Sequence, residues 1–164
     1  YTISRVYTDT SIIANFEELS SNTKVWDFSG YTTEVNTTKS GFTENYDGLT
    51  IAIANNGADS DHDKITTAGV YWRGGAASGE SVRYIAFTPE KDGTLTASGK
   101  MKTSGGRWGF STSKDVGTLK ADGSSSTSTS ESTVTIQCTA GTTYYIINKS
   151  KAATINNISY TPSE

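Results

Sequence analysis

The chain of 164 residues has a single cysteine, Cys138, and a single histidine, His62. One cysteine excludes an internal disulfide and a paired-cysteine metal site, so in the alternating run "STVTIQCTAG" we interpret Cys138 as a small buried apolar side chain. One imidazole in an aspartate-rich segment gives little basis for a serine or cysteine catalytic triad. No P-loop, HExxH or GxSxG motif is present either. We therefore expect that the chain is not an enzyme.

Long apolar runs are also missing, and no window approaches the roughly 18 consecutive apolar residues of a membrane helix. The chain has no basic and then apolar leader, and it begins at Tyr1 rather than at methionine. We expect no membrane partner and no signal peptide in this stretch. We interpret the chain as a module cut from a longer protein.

The residues that are present favour short strands and tight turns. Glycine reaches 16 residues, proline only 2, and serine and threonine recur throughout, while 34 % apolar and 10 % aromatic residues argue against disorder. We predict one all-β domain, an antiparallel β-sandwich of jelly-roll type. The predicted strands lie in "KVWDFSGY", "GLTIAIANN", "GVYWRG", "SVRYIAFTP", "DGTLTASGKMKT", "RWGFST", "STVTIQCTAG", "TTYYIINK" and "TINNISYTP".

Two segments fall outside this strand pattern. Residues 1–22 are predicted to be a linker or an edge segment, and "IIANFEELSSN" within them has the spacing of one short helix; residues 23–164 are predicted to form the sandwich. The segment Gly123–Thr133, "GSSSTSTSEST", has no apolar residue to bury, so we predict a mobile spacer loop there.

Charge is distributed unevenly along the chain, whose formal net charge is −3. Residues 1–97 contain seven Lys and Arg against thirteen Asp and Glu, whereas residues 98–164 contain seven against four. A locally basic half in an acidic chain predicts a surface patch for an anionic partner rather than general attraction to nucleic acid.

Strand alternation indicates which cations share that patch. In "GTLTASGKMKT", Lys100 and Lys102 fall on the polar face, with Cα atoms about 6.7 Å apart because each residue advances the strand by about 3.3 Å. After the turn "TSGG" we predict that Trp108 and Phe110 point inward and that Arg107 joins the two lysines on a neighbouring strand.

Lys149 and Lys151 are predicted to lie in a loop after "TYYII", at one end of the sandwich. The five cations Lys100, Lys102, Arg107, Lys149 and Lys151 are the candidate ligand-binding residues. The alternative is that lysines on an outward strand face only keep that face soluble and unpaired.

Aromatic side chains offer a second kind of sugar-binding surface. Tyr71 and Trp72 in "GVYWRGG" are candidates for an aromatic platform, although alternation requires that one of them faces the core. Trp26 is predicted to be a core residue.

Aspartates in "ADSDHDK" are the weak candidates for a metal site. Asp59, Asp61 and Asp63 alternate as at the start of an EF-hand loop, but Lys64 stands where the glycine is required and Val70 where the bidentate glutamate is required. We expect no required cofactor. A looser site for a structural calcium ion, or a solvated acidic turn, stays open.

Several of these stretches together resemble a known family. "KVWDFSGY", "YDGLTIAIANNG", "VRYIAFTPEKDGTLTASGKMK", "TVTIQCTAGTTYYI" and "ATINNISYTP" occur in this order from Lys24 to Pro162. In order and content they resemble the carbohydrate-binding modules of family 77, which are appended to bacterial pectate lyases.

The resemblance implies non-catalytic binding of pectin, in particular low-esterified homogalacturonan, through basic side chains. It covers Lys100, Lys102 and Lys149, which lie inside matching motifs, whereas Arg107 and Lys151 follow from strand alternation and position. It also implies a secreted, extracellular, bacterial module, linked covalently to a catalytic domain that it targets to plant cell wall for degradation. We expect a monomer with an anionic polysaccharide as its partner.

Two other functions stay open. One is binding of a neutral plant glycan through Tyr71, Trp72 and Trp108, which would not depend on salt. The other is a structural or adhesive sandwich domain that binds no glycan.

Overall fold

Two antiparallel sheets pack face to face, which confirms the predicted all-β sandwich. The computed structural model describes residues 22–31, 35–36, 42–54 and 62–164. The interpretations of residues 1–21 as linker, edge segment or short helix lie outside the described residues. Within the described part, the only helical element is one 3-10 turn, Val116–Thr118. No described helix has the length and apolar character needed to cross a membrane.

Strands of both sheets run antiparallel to their neighbours. The front sheet has the order β11–β8–β13–β6–β5–β2, with β1 also paired to β13, and the back sheet has the order β10–β9–β12–β7–β4–β3. The strands are β1 Lys24–Trp26, β2 Val35–Asn36, β3 Phe42–Tyr46, β4 Leu49–Ile53, β5 Lys64–Thr66, β6 Gly69–Trp72, β7 Tyr84–Phe87, β8 Gly93–Met101, β9 Arg107–Ser111, β10 Ser125–Ser126, β11 Ser132–Cys138, β12 Tyr144–Ser150 and β13 Ala153–Pro162.

The core lies between the sheets and is filled by alternate residues of the strands. In β8, Leu95, Ala97 and Met101 are buried, while Thr96, Ser98 and Lys100 on the other face are exposed to varying degrees. The core also contains all three tryptophans, Trp26, Trp72 and Trp108, each less than 2 % exposed. Burying such large rings is strongly favourable, so the tryptophans stabilise the core of the sandwich and do not form part of its surface.

The connection from β8 to β9 crosses from one sheet to the other. β8 lies in the front sheet between β11 and β13, whereas β9 lies in the back sheet between β10 and β12. Residues 102–106 therefore form an arch over one end of the sandwich. The prediction that Arg107 follows the lysines on a neighbouring strand is wrong, because that prediction assumed a hairpin within one sheet.

The serine-rich segment is ordered, which corrects the prediction of a mobile spacer loop. Ser125 and Ser126 form β10 and pair with β9, and Ser132 begins β11. Ser126 and Ser132 share a hydrogen bond of 2.6 Å, and Ser128 O accepts a hydrogen bond from Met101 N at 2.8 Å. Hydroxyl and backbone hydrogen bonds thus hold a segment that has no apolar side chain to bury.

Candidate functional site

The predicted cations lie near one end of the sandwich, but on two different sheets. The arch of residues 102–106 meets the turn between β12 and β13 there: Lys102 N donates to Ala152 O at 2.8 Å, and Ser150 Oγ donates to Gly105 O at 3.4 Å. We call this region the basic end. It is defined by Lys100, Lys102, Arg107, Lys149 and Lys151.

Close backbone approach holds the loops of the basic end against one another. A Cβ atom on Gly106 would lie 2.6 Å from Ser150 O, and one on Gly75 would lie 2.3 Å from Asn148 O. Only glycine permits such contact without displacement of the neighbouring strand. The arch and the β6–β7 connection are therefore both packed onto the end of β12.

Lys100 and Lys102 lie on the outer face of the front sheet, as their alternation with Met101 predicted, and both are exposed. Lys100 pairs with Thr154 of β13, and Thr154 pairs in turn with Tyr71 of β6. Because directly opposed residues of an antiparallel pair share a face, these side chains form one row across the sheet.

The row continues to a lysine that the sequence analysis missed. Tyr71 pairs with Lys64 of β5, whose Nζ lies 5.9 Å from the centroid of the tyrosine ring. Lys102 Nζ lies 5.7 Å from the same centroid and donates to the Tyr71 hydroxyl at 3.4 Å. Both distances are within the range of cation–π attraction. The local sequence could have indicated Lys64, because the turn between β5 and β6 is short and sets Lys64 opposite Tyr71.

Trp72 does not belong to this surface. It is fully buried and its Nε1 donates to Ala52 O at 3.3 Å, so the aromatic platform of Tyr71 with Trp72 is wrong as predicted. Trp108 is equally buried and offers no surface for a sugar. Alternation allows only one of two consecutive strand residues to face solvent, and here the half-buried Tyr71 is that residue.

Arg107 and Lys149 lie on the back sheet, away from the face of Lys100 and Lys102. Arg107 is half-buried and its Nη1 donates to Ser125 Oγ at 3.3 Å. Lys149 is part of β12 rather than of a loop, at a bulge between residues that pair with β9. The two cations line one cavity of about 500 Å³, together with the arch and Thr127.

Lys151 occupies the turn between β12 and β13, and it is exposed. Its φ of 64° lies in the left-handed region that non-glycine residues seldom adopt. Its Cβ atom lies beside Gly106 of the arch. Lys151 thus stands between the two groups of cations, at the rim of the basic end.

One carboxylate borders the same surface. Glu131 directly precedes Ser132, which pairs with Gly99, and its Oε2 accepts a hydrogen bond from Asn156 Nδ2 at 2.7 Å. The surface around Lys100 therefore carries one negative charge among its cations.

Asp63, the described member of the three candidate metal ligands, already has partners. It is fully buried, and its carboxylate pairs with Arg83 Nε at 2.7 Å. It also accepts hydrogen bonds from Ala54 N and Arg73 N, both at 2.8 Å. Asp59 and Asp61 lie outside the described residues. Within the described part, no group of three or more His, Cys, Asp or Glu side chains could hold a metal ion.

Cys138 is buried, as its place in an alternating strand predicted, with 4 % of its surface exposed. Burial raises the pKa of its thiol, so the reactive thiolate is disfavoured. Its environment is that of a core side chain.

The comparisons with known proteins returned structures alone, since no protein-family model and no curated protein sequence matches the chain. The C-terminal CBM6 of LamC, a marine laminarinase from Zobellia galactanivorans, is 15 % identical with a TM-score of 0.33, over 85 % of this chain and 99 % of that one. CBM35 from Paenibacillus barcinonensis is 15 % identical with a TM-score of 0.36, over 80 % and 99 % of the two chains. The apo form of BiXyn10A CBM1 is 11 % identical with a TM-score of 0.32, over 85 % and 97 %.

Proposed function

We propose that the chain is a non-catalytic module that binds low-esterified homogalacturonan, the acidic backbone of pectin, through the basic end together with Lys64 and Tyr71 beside it. It would direct an attached enzyme to plant cell wall outside the cell. The observation that carries the proposal is the contact of two lysines, Lys64 and Lys102, with the ring of Tyr71, in a row that also contains Lys100.

The chemistry of a uronate polymer fits this row. A pyranose presents C–H groups that an aromatic ring can cover, and each unesterified unit adds a carboxylate that an ammonium group can pair with. Tyr71 would contact one sugar ring, while Lys64 and Lys102 meet the carboxylates on that unit and its neighbours.

Arg107, Lys149 and Lys151 would extend the same interaction around the end of the sandwich. An extended polymer that passes Tyr71 would next meet Lys151 at the rim and then the cavity of Arg107 and Lys149. The guanidinium group of Arg107 suits paired hydrogen bonds to a carboxylate, whereas each lysine acts as a point charge.

The expected affinity follows from the free energy that each ion pair contributes. Exposed ion pairs contribute about 0–1 kcal/mol each, so three to five pairs supply at most about 5 kcal/mol, which corresponds to a Kd of about 0.2 mM or weaker. Salt should weaken binding, since the screening length falls from about 10 Å at 0.1 M to about 3 Å at 1 M ionic strength. Methyl esterification removes the carboxylate charge and should abolish binding.

The experiment is affinity electrophoresis or calorimetry with polygalacturonate, highly methyl-esterified pectin and a neutral galactan, each at low and high salt. We expect binding to polygalacturonate alone, weakened by salt. The double variant Lys100→Ala/Lys102→Ala should lose most of the binding. Lys91→Ala is the matched control, because Lys91 is also an exposed lysine but lies just before the start of β8, whereas Lys100 lies near its end.

Equal binding by the double variant and by Lys91→Ala would refute the basic end as the site. Binding of the neutral galactan that is independent of salt and lost in Tyr71→Ala would instead favour a neutral-glycan module, for which the half-buried Tyr71 ring is the supporting feature. Absence of binding to every polysaccharide would favour a structural domain. Release of unsaturated sugars from polygalacturonate would contradict the non-catalytic part of the proposal.

A further inference from the structure

The outer face of the back sheet contains a trough that the basic end does not use. Its volume is about 310 Å³, at the lower end of the range of small-ligand pockets, which is about 300–1,000 Å³. Small side chains from β4, from β7 and from the residues next to β7 and β12 form part of its lining, together with three larger side chains. The lining residues are Gly48, Thr50, Tyr84, Ala86, Thr88, Lys114, Thr143 and Tyr145.

One lysine contacts two tyrosine rings in this trough. Lys114 Nζ lies 4.5 Å from the centroid of Tyr84 and 5.8 Å from that of Tyr145. The two rings meet edge to face, with centroids 5.6 Å apart and an angle of 85° between their planes. All three side chains are half-buried, so the cation is held beside aromatic surface rather than extended into solvent.

The loop that carries Lys114 is fixed to the protein by its backbone. Ser81 N donates to Lys114 O at 2.8 Å, and Val116 N donates to Gly79 O at 3.0 Å. Val116 is fully buried in a small apolar cluster on this face, which includes Ile147 of β12. The ammonium group is therefore presented by a rigid loop, which lowers the entropic cost of binding a ligand.

Hydroxyl groups complete the polar part of the trough. Thr88 Oγ1 and Thr143 Oγ1 share a hydrogen bond of 2.8 Å, and Thr50 Oγ1 donates to Asn45 Oδ1 at 3.3 Å. Each threonine hydroxyl has further hydrogen-bonding capacity that a sugar hydroxyl could use.

Lys114 is the one charged side chain among the described residues that line the trough. Asp115, its neighbour in sequence, turns its Oδ1 to Gly117 N at 2.8 Å. At the Gly48 end, Lys24 Nζ and Asp47 Oδ1 form an exposed ion pair at 3.0 Å, and this pair has no net charge.

We propose that this trough is a second saccharide site, which takes a single uronic acid unit or a chain end. The carboxylate would pair with Lys114 Nζ, the C–H face of the sugar would cover Tyr145 or Tyr84, and the sugar hydroxyls would bond to Thr88 and Thr143. Because the trough lies on the back sheet and Tyr71 on the front sheet, one module could hold two polymer chains at once. The trough shares no residue with the basic end.

The test is a titration of the ¹⁵N-labelled protein followed by NMR, with galacturonic acid, its methyl ester and acetate as probes. We expect galacturonic acid to shift the amide signals of Lys114, Tyr145 and Thr88. The Lys114→Met variant keeps an aliphatic stem over both rings but lacks the charge, and it should weaken this binding about tenfold or more, as expected for a hydrogen bond to a charged group. The Lys100→Ala/Lys102→Ala variant should keep it.

Two outcomes would overturn the proposal. One is that galacturonic acid leaves these signals unchanged, and the other is that acetate shifts them as much, since a bare carboxylate would then explain the effect. Unchanged affinity in Lys114→Met would likewise contradict it. Signals of Lys100, Lys102 and Tyr71 report on the basic end separately, so failure of one site is distinguished from failure of the other.

Discussion

Substitution of Asp63 by asparagine should destabilise the protein far more than the loss of any exposed charge. Asp63 is fully buried and uses both carboxylate oxygens: Oδ2 accepts from Ala54 N at 2.8 Å and Arg83 Nε at 2.7 Å, and Oδ1 accepts from Arg73 N at 2.8 Å. Asparagine has the same shape but only one oxygen. In either orientation its NH₂ group replaces an oxygen that accepts a hydrogen bond from a backbone N–H.

The magnitude follows from the burial of the pair. The Arg83 side chain is 16 % exposed and the Asp63 side chain 0 %, so Asp63→Asn removes a negative charge with which Arg83 Nε pairs inside the protein. Breaking a buried ion pair in this way costs about 3–5 kcal/mol. For a domain of this size each kcal/mol lowers Tm by about 2–4 °C, so we expect a decrease of about 10 °C.

Urea unfolding followed by tryptophan fluorescence measures this directly, because all three tryptophans leave the core on unfolding. Asp47→Asn is the matched control: Asp47 pairs with Lys24 at 3.0 Å, but the two side chains are 66 % and 40 % exposed. Its loss should cost about 0–1 kcal/mol. If Asp63→Asn costs no more than Asp47→Asn, the buried pair does not hold this part of the sandwich together and the reasoning is refuted.

Two further predictions concern backbone packing and pH. Gly75→Ala should lower the free energy of unfolding by about 1–3 kcal/mol, because the new Cβ would lie 2.3 Å from Asn148 O. The control Gly74→Ala, whose Cβ would have no atom within 4 Å, should change the free energy by less than about 0.5 kcal/mol. Equal urea midpoints for the two variants would contradict this prediction. Burial, and then the hydrogen bond to Glu44, raises the pKa of Tyr31 above its usual value of about 10. The protonated Tyr31 phenol therefore stabilises the protein fully below about pH 10, and this stabilisation is lost at higher pH. Above that pH, the urea midpoint of the Tyr31→Phe variant should fall less steeply with pH than that of the wild type. Parallel curves of urea midpoint against pH would contradict this prediction.

Local alternation was enough to predict most strands and their buried faces. Leu95, Ala97 and Met101 of β8 are buried while Lys100 is exposed, as period two requires. The same rule allowed only one of Tyr71 and Trp72 to face solvent, although it could not say which. For the serine-rich segment, the lack of apolar residues led to the wrong prediction of a mobile loop. Its hydroxyl and backbone groups form hydrogen bonds, which apolar content does not predict.

The sequence by itself determined which residues of a strand share a face and that cations concentrate in the second half of the chain. Only the tertiary structure decided that β8 and β9 belong to different sheets, which separates Lys100 from Arg107, and that β13 lies between β8 and β6, which sets Lys100 in one row with Tyr71. The physical reason is that a side chain's inward or outward direction is set by its own strand, whereas the neighbours of that strand are set by hydrogen bonding and core packing between segments far apart in the chain.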